Sequence, residues 1–426
     1  MEREKMASLS RRGLLQSTSA MTLASLAVAC GRSSASTASD LSGEPSSLEL
    51  PALLSSSESE KNDSPPLRPL EKRLGIAVVG LGRLALQQIL PAFAASKACR
   101  VTALVTGDAA KGAQIAAQYG VNPKNVLSYQ HYDRLSELGD VQAVYVVLPN
   151  AMHAEYTVRA AHAGKHVLCE KPMATSVADC ERMIQACAEA RKALMIAYRM
   201  QYEPYNRELI RLARSGALGK LKSLLASNGQ AQGDPKQWRL KKAMSGGGAL
   251  PDVGIYCLNA ARYISGEEPI EVQAMQYSTP GDPRFLEVEE QMNFSLRFPS
   301  GFTASCFTSY GCHDSKRYRV MGSLGWAELD PAFPYTGQAM RLARKREGGE
   351  NEELTQPRLE PKNQFALELD HLAECIAGAR KPRTPGEEGL QDVRLMAALY
   401  EAAQSVSTVK LPQVPGVDPF RGPLDG

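Results

Sequence analysis

A short apolar run, Leu74-Gly75-Ile76-Ala77-Val78-Val79, passes directly into Gly80-Leu81-Gly82-Arg83-Leu84-Ala85. Charged Glu71, Lys72 and Arg73 bound the run on one side and glycine on the other. β-Branched residues without polar alternation mark a strand covered on both faces, as in a parallel sheet. Gly80 permits a tight turn. Gly82 lets the backbone approach an anion at the N-terminus of the following helix, where free N–H groups point outward. Ala85 stands where a third glycine is common, and a small side chain suffices there for close helix–strand packing. The glycines alone fit any strand–turn–helix. Their setting between a strand and a helix, near the start of the folded chain, points to a dinucleotide site.

The alternation continues. Val101 to Val105 reads as a second strand, Ala109 to Tyr119 as a helix, and Ala143 to Leu148 as a buried strand ending in Pro149-Asn150. A helix from about Ala154 to Ala163 precedes the strand His166 to Cys169. Ser176 and Asp179 form a capping pair for a helix whose Val177, Cys180, Ile184 and Cys187 share one face. Leu194 to Ala197 closes this half. The repetition predicts a doubly wound parallel sheet, an α/β Rossmann domain over residues 71–197.

After about residue 220 the pattern changes. Leu221 to Gln230, Ile270 to Ser278, Glu287 to Phe298, Phe302 to Tyr310 and Arg317 to Gly322 read as strands, several alternating polar and apolar residues. Long helices are expected at Gln364 to Ala379 and Leu390 to Ser407. Residues 198–426 are therefore expected to form an α+β domain with a large open, mostly antiparallel sheet, from which the C-terminal helix can return to the Rossmann domain. A broad open sheet tends to pair with a copy of itself, so a homo-oligomer, dimer or tetramer, is expected.

Ser10-Arg11-Arg12-Gly13-Leu14-Leu15-Gln16 reads as a twin-arginine export signal. The apolar stretch Met21 to Ala29 is shorter than the roughly 20 residues a spanning helix needs. Ala27-Val28-Ala29 fits a cleavage site, which makes residues 1–30 a signal peptide and the mature protein periplasmic or otherwise exported. Cys30 is a candidate for lipid attachment, the one route by which a membrane would be a partner. Residues 31–70 are rich in Ser and Pro and read as a linker, or as an arm that orders against a neighbouring subunit.

Aromatic residues make up 6% of the chain and the net charge is +3, without clustering of Lys and Arg, so a nucleic-acid partner is not expected. The nine cysteines include no C-x-x-C pair and no Cys/His cluster with ligand spacing, so no metal site is expected.

An acidic residue at the end of the second strand selects NAD by binding the ribose 2′-OH. Here that strand ends in Thr106, with Arg83 and Lys111 able to attract a 2′-phosphate, and NADP is the expected cofactor. Glu170-Lys171-Pro172 follows a strand at its carboxyl end, where such sheets place ligands. Asp252 and Tyr256, four residues apart on a helix after Ser245-Gly246-Gly247-Gly248, line one face. Oxidising an alcohol requires a group that takes the hydroxyl proton. A phenol beside an ammonium can do so, because the cation favours the phenolate.

These residues resemble the Gfo/Idh/MocA oxidoreductase family. The resemblance runs from about Leu74 to Ser405. It is carried by G-L-G-R-L-A, by L-P-N-A-M-H-A-E at 148–155, by G-K-H-V-L-C-E-K-P-M-A-T-S-V-A-D-C at 164–180 and by A-Y-R at 197–199. It continues in Q-W-R-L at 237–240, G-G-G-A-L-P-D-V-G-I-Y-C-L-N-A-A-R-Y at 246–263 and P-G-E-E-G-L-Q-D-V-R-L at 385–395. Tyr rather than His at 256 resembles the glucose–fructose branch of that family, and Arg83 stands where the branch usually has Lys. The resemblance implies that Lys171 orients the reacting hydroxyl, Tyr256 is the acid/base and Asp252 hydrogen-bonds the sugar. It further implies that Gly80, Gly82, Arg83, Leu84, Thr106, Lys111, Tyr129, Leu148, Pro149, Asn150, His153, Glu170, Lys171, Arg199, Trp238 and Arg239 contact NADP.

The expected function is oxidation of a glucose-like aldose to its lactone with reduction of a second, fructose-like sugar through tightly bound NADP. A conventional sugar or polyol dehydrogenase with exchangeable cofactor, and a non-catalytic sugar or nucleotide sensor, remain as alternatives.

Overall fold

The computed structural model describes residues 72–345 and 352–424. The expected signal peptide, Cys30 and the whole Ser/Pro-rich segment lie outside the described residues.

β1 (Leu74–Val79) leads through a π-type turn, Ala85–Ile89, into α1 (Leu90–Ala95). β2 (Cys99–Val105), α2 (Ala109–Tyr119), β3 (Val126–Leu127), β4 (Ala143–Val146), α3 (His153–His162), β5 (His166–Glu170), α4 (Val177–Glu189) and β6 (Leu194–Ala197) follow. The six strands are parallel, in the order β3-β2-β1-β4-β5-β6. This is the doubly wound sheet that the repetition predicts. The order reverses between β1 and β4, and ligands sit at the carboxyl ends of strands beside such a switch. The side chains of Ile76 through Val79 and of β4 are fully buried, which is why these strands show no polar alternation. Ser176 caps α4 by accepting the Asp179 N–H at 3.1 Å.

The second half comprises α5 (Pro204–Arg214), β7 (Leu221–Gly229), α6 (Lys242–Ser245), α7 (Ile255–Ser265), β8 (Glu271–Tyr277), β9 (Gln291–Arg297), β10 (Thr303–Ser309), β11 (Ser315–Gly322), β12 (Gly325–Leu329), β13 (Met340–Lys345), β14 (Glu352–Thr355), α8 (Gln364–Ala377), α9 (Gly386–Ser405) and β15 (Val409–Lys410). Nine strands form one sheet, β14-β13-β12-β11-β7-β10-β9-β8-β15, antiparallel except where β7 meets β10. Leu224, Val272, Phe294 and Leu296 are buried on one face in the core shared with α7 and α9. The other face exposes Leu225, Met275 and Tyr277.

Three features depart from the sequence reading. α5 and the strands β12 to β14 were not anticipated. The strand expected from Glu287 starts at Gln291, because Glu289 is drawn inward: its carboxylate accepts the N–H of Gly248 at 2.8 Å and of Leu250 at 2.9 Å. α8 crosses back onto the Rossmann sheet, packing Phe365, Leu369 and Leu372 in a cluster with Ile76, Val78 and Leu104. Asp370 ties it down by accepting from the Ser96 hydroxyl at 2.5 Å and the Ala98 N–H at 2.8 Å.

α7 is held by a buried ionic cluster. Arg262 donates to Glu268 and, on α9, to Glu388, each at 2.8 Å, and also to Asp392. Asn259 donates to Glu388 at 2.9 Å. Such a cluster adds little net stability against an apolar substitute but is costly to break singly, so it fixes α7 against α9.

Candidate active site

The carboxyl edge of the six-stranded sheet carries most of the anticipated residues. Gly80 follows β1 with φ +94°, and a Cβ there would lie 2.2 Å from the Val147 carbonyl oxygen. Only glycine fits. A Cβ on Gly82 would meet nothing within 4 Å, so its backbone faces open space. These two observations are what a pyrophosphate cradle requires, and the residues fit a bound dinucleotide. Thr106 follows β2, and its Oγ1 accepts the Asp108 N–H at 3.2 Å. Asp108 in turn caps α2 through the Lys111 N–H at 3.0 Å, leaving Lys111 in the first helical turn. Arg83 and Leu84 lie just beyond the glycine loop, with the exposed Arg83 guanidinium donating to Gln87 at 2.9 Å. The Tyr129 ring stands against the Thr106–Gly107 turn, 3.5 Å from where a Gly107 Cβ would be.

Leu148, Pro149 and Asn150 follow β4. Asn150 reaches across to donate to the Ser245 carbonyl at 2.8 Å, joining the edge to the end of α6, just before the three glycines. His153 is fully buried, its ring nitrogens 2.8 Å from the Leu148 carbonyl and 2.9 Å from that of Pro172. Burial pushes it below the usual imidazole range, against the two carbonyls, which favour the protonated ring. It braces the strand ends rather than facing the cleft.

Lys171 follows β5. Its Nζ donates to the backbone carbonyl of Asp252 at 2.7 Å and to Asp252 Oδ1 at 3.2 Å. It also lies 4.8 Å from the centroid of the Tyr256 ring. The ammonium and the phenol, 85 residues apart in sequence, therefore converge. A π-type turn, Leu250–Gly254, precedes α7 and makes this possible. A widened turn leaves carbonyls free for other donors. Lys171 takes that of Asp252, Asn228 takes that of Val253 at 2.9 Å, and Thr308 takes that of Ala249 at 3.2 Å.

Both oxygens of Asp252 are engaged. Oδ2 accepts from Arg239 at 3.1 Å and from the Tyr310 hydroxyl at 2.8 Å. Burial would raise the Asp252 carboxyl, but Lys171 and Arg239 hold it well below the usual range. Burial would likewise lower Lys171, yet Tyr256, Asp252 and Glu170 keep its ammonium above the ordinary lysine value. At neutral pH the site thus holds a firmly charged pair beside a phenol.

Arg199 carries its guanidinium 4.9 Å from the Tyr256 centroid, on Gln364 Oε1 at 2.5 Å and the Phe333 carbonyl at 2.8 Å. It is buried beneath the phenol. Trp238 is partly exposed and stacks under the Arg239 guanidinium at 4.5 Å. Glu170 accepts from the Tyr145 hydroxyl at 2.9 Å and faces away from the cleft.

The sequence reading missed Tyr310, Tyr145, Tyr335, whose ring centroid lies 4.7 Å from the Arg199 guanidinium, and Glu368, 3.4 Å from the Tyr145 hydroxyl. Tyr310 follows β10, a sheet strand remote from every motif. Tyr145 left a trace, as the one polar-tipped residue in an otherwise aliphatic strand.

Residues 74–198 match the model of an oxidoreductase family with an NAD-binding Rossmann fold, and residues 206–328 match the GFO/IDH/MocA C-terminal domain. A D-xylose 1-dehydrogenase [NADP(+)] of Haloarcula marismortui is 33% identical over 343 residues, covering 79% of this chain and 92% of that protein. A dTDP-3,4-didehydro-2,6-dideoxy-alpha-D-glucose 3-reductase of Actinomadura kijaniata is 29% identical over 336 residues, 78% of this chain and 96% of that protein. Among solved structures, an aldose-aldose oxidoreductase from Caulobacter crescentus, complexed with glycerol, superposes with a TM-score of 0.76 at 49% identity, covering 80% of this chain and all of that one.

Proposed function

The chain belongs to the Gfo/Idh/MocA oxidoreductase family, and from that membership we propose that it is an NADP-dependent sugar oxidoreductase that oxidises an aldose to its lactone, reduces a second sugar, and keeps its nucleotide throughout. The observation that carries this reading is the Lys171 ammonium, anchored on Asp252 and 4.8 Å from the Tyr256 ring. The relative named for aldose–aldose chemistry, at 49% identity, favours an aldose over a ketose as the second sugar.

The nucleotide would be held by Gly80, Gly82, Leu148, Pro149 and Asn150. Arg83, Thr106 and Lys111 would face its 2′-phosphate and Tyr129 its adenosine end. When bound, the nicotinamide supplies a hydride acceptor for one sugar and a hydride donor for the other. Tyr256 takes the hydroxyl proton of the first sugar and returns a proton to the second. Lys171 orients the hydroxyl. Asp252, with Arg239 and Tyr310 behind it, keeps Lys171 in position.

The twin-arginine pattern supports export of the folded, nucleotide-loaded protein, which outside the cytoplasm would have no supply of free NADPH. The outer sheet face, with Leu225, Met275 and Tyr277 exposed, is the surface we propose for pairing with a second copy.

The test is an absorbance measurement on protein purified and dialysed without added nucleotide. A reduced-nicotinamide band that appears with one aldose and disappears with a second supports the retained cofactor. Turnover only with added NADP would favour a conventional dehydrogenase, as the D-xylose relative's name suggests.

A further inference from the structure

Behind Lys171, on the face of the Rossmann sheet covered by α8, two carboxylates meet one phenol. The Tyr145 hydroxyl lies 2.9 Å from Glu170 Oε1 and 3.4 Å from Glu368 Oε2. Tyr145 and Glu368 are fully buried and Glu170 nearly so. The other oxygen of Glu368, Oε1, is buried without a hydrogen-bond partner.

One phenol has one hydrogen. The shorter contact assigns it to Glu170, which also accepts the Lys171 N–H at 3.3 Å. The contact with Glu368 then needs a hydrogen from Glu368 itself. An ionised Glu368 would sit buried against a phenol oxygen with no donor on either carboxylate atom. Buried charges without partners neutralise instead. A neutral Glu368 has a partner for its one hydrogen.

We propose that Glu368, on the helix that returns from the second domain, is a permanently protonated positioning residue: its hydroxyl donates to Tyr145, Tyr145 donates to Glu170, and this chain keeps the Glu170 carboxylate anionic beside Lys171 and Arg199. The inference rests on the sugar oxidoreductase reading for its effect on turnover, but not for the protonation itself.

The groups facing this chain agree with it. Burial pushes Glu368 well above the usual carboxylate range, Glu170 adds to the rise, and Arg199 and Tyr145 oppose it. Burial raises Glu170 on balance as well, but Lys171, Tyr145 and Arg199 oppose the rise and favour its anion. Tyr335, Cys169 and Tyr202 are further titratable neighbours: Tyr335 and Cys169 interact with Glu170, Cys169 also with Tyr145, and Tyr202 with Glu368. Arg199 feels the charge of Glu170 and lies 4.9 Å from the Tyr256 centroid, so it stands between the acid chain and the reacting pair. Through Glu368, α8 thereby reaches the reacting pair by way of Tyr145, Glu170 and Arg199.

Two measurements test this. The first is the infrared difference spectrum between the wild-type protein and Glu368→Gln at about pH 8, far above any ordinary carboxyl pKa. A carboxylic-acid carbonyl band present in the wild type and lost in the variant is expected. Loss of a carboxylate band instead overturns the proposal, whatever the substrate proves to be. The second is the pH profile of kcat/KM. Glu368→Gln, a neutral donor of the same size, should retain wild-type kcat/KM within about threefold and an unmoved low-pH limb. Glu368→Leu, with no donor, should lower kcat about tenfold with little change in KM and move the limb. If that variant does not fold, Tyr145→Phe breaks the same chain and should behave alike. A Glu368→Gln limb displaced as far as that of Glu170→Gln would mean that Glu368 acts as an anion, and would overturn the assignment.

Discussion

One residue holds the Lys171 ammonium twice: Asp252 accepts from Nζ through its backbone carbonyl at 2.7 Å and through Oδ1 at 3.2 Å. The first bond survives any side-chain change, so substitution of Asp252 isolates the effect of its charge. Asp252→Asn is expected to leave Lys171 close to its place but deprive it and Arg239 of their shared anion. Activity should fall about a hundredfold, and stability by about 2 kcal/mol, less than for a fully buried pair because Arg239 is partly solvated. The Asp252 carboxyl is held below the usual range, so its contribution is fully present above the ordinary carboxylate pKa and is lost only as pH falls through the depressed one. Melting curves of the two proteins should therefore run parallel from about pH 5 to 8 and converge only in stronger acid.

Gly80 and Gly82 predict opposite phenotypes. A Cβ at 80 runs into the Val147 carbonyl at a left-handed φ, so Gly80→Ala should cost about 3 kcal/mol or more and show as poor folding. A side chain at 82 points into empty space, so Gly82→Val should melt within about 0.5 kcal/mol of the parent when both are free of nucleotide. Only the parent should retain nucleotide through dialysis. Nucleotide retention by Gly82→Val would remove the glycine loop from the site.

The parallel sheet was legible in the sequence because its strands obey a local rule. A strand buried on both faces is aliphatic throughout, and Val78, Val144 and Leu168 follow that pattern. The large sheet was legible only where one face is solvated. β12 to β14 escaped because Gly325, Glu328 and Arg341 break any clean alternation, and Glu328 is buried only through its pairing with Arg319 and Arg341.

Lys171 and Tyr256 were legible because each sits in a distinctive local motif. The structure adds what connects them. The π-type turn that brings the Asp252 carbonyl to Lys171 depends on Asn228 and Thr308, which lie on two strands with no motif of their own. Tyr310 and Glu368 are likewise placed by tertiary packing alone, so no sequence window contains their partners.

His371 makes the fold sensitive to acid. Its Nε2 accepts the Arg383 N–H at 3.0 Å. Burial foremost, then Arg383, Arg380 and Arg207, push it down to about 3. Below its unfolded value of about 6.5 the unfolded chain binds a proton that the folded chain refuses, so stability falls as pH drops. Thermal melts should show wild type losing up to about 1 kcal/mol per pH unit relative to His371→Gln between about pH 6 and 4. Parallel curves would mean that the ring protonates in place.

In the proposed reaction the Tyr256 hydroxyl takes and returns the substrate proton. The direct measurement is single-turnover sugar oxidation by Tyr256→Phe, loaded with nucleotide to the same occupancy as the parent. A fall in the rate of nicotinamide reduction of about a hundredfold or more, with nucleotide and sugar affinity unchanged, is predicted. A variant that reduces its nucleotide at the parental rate would contradict the assignment.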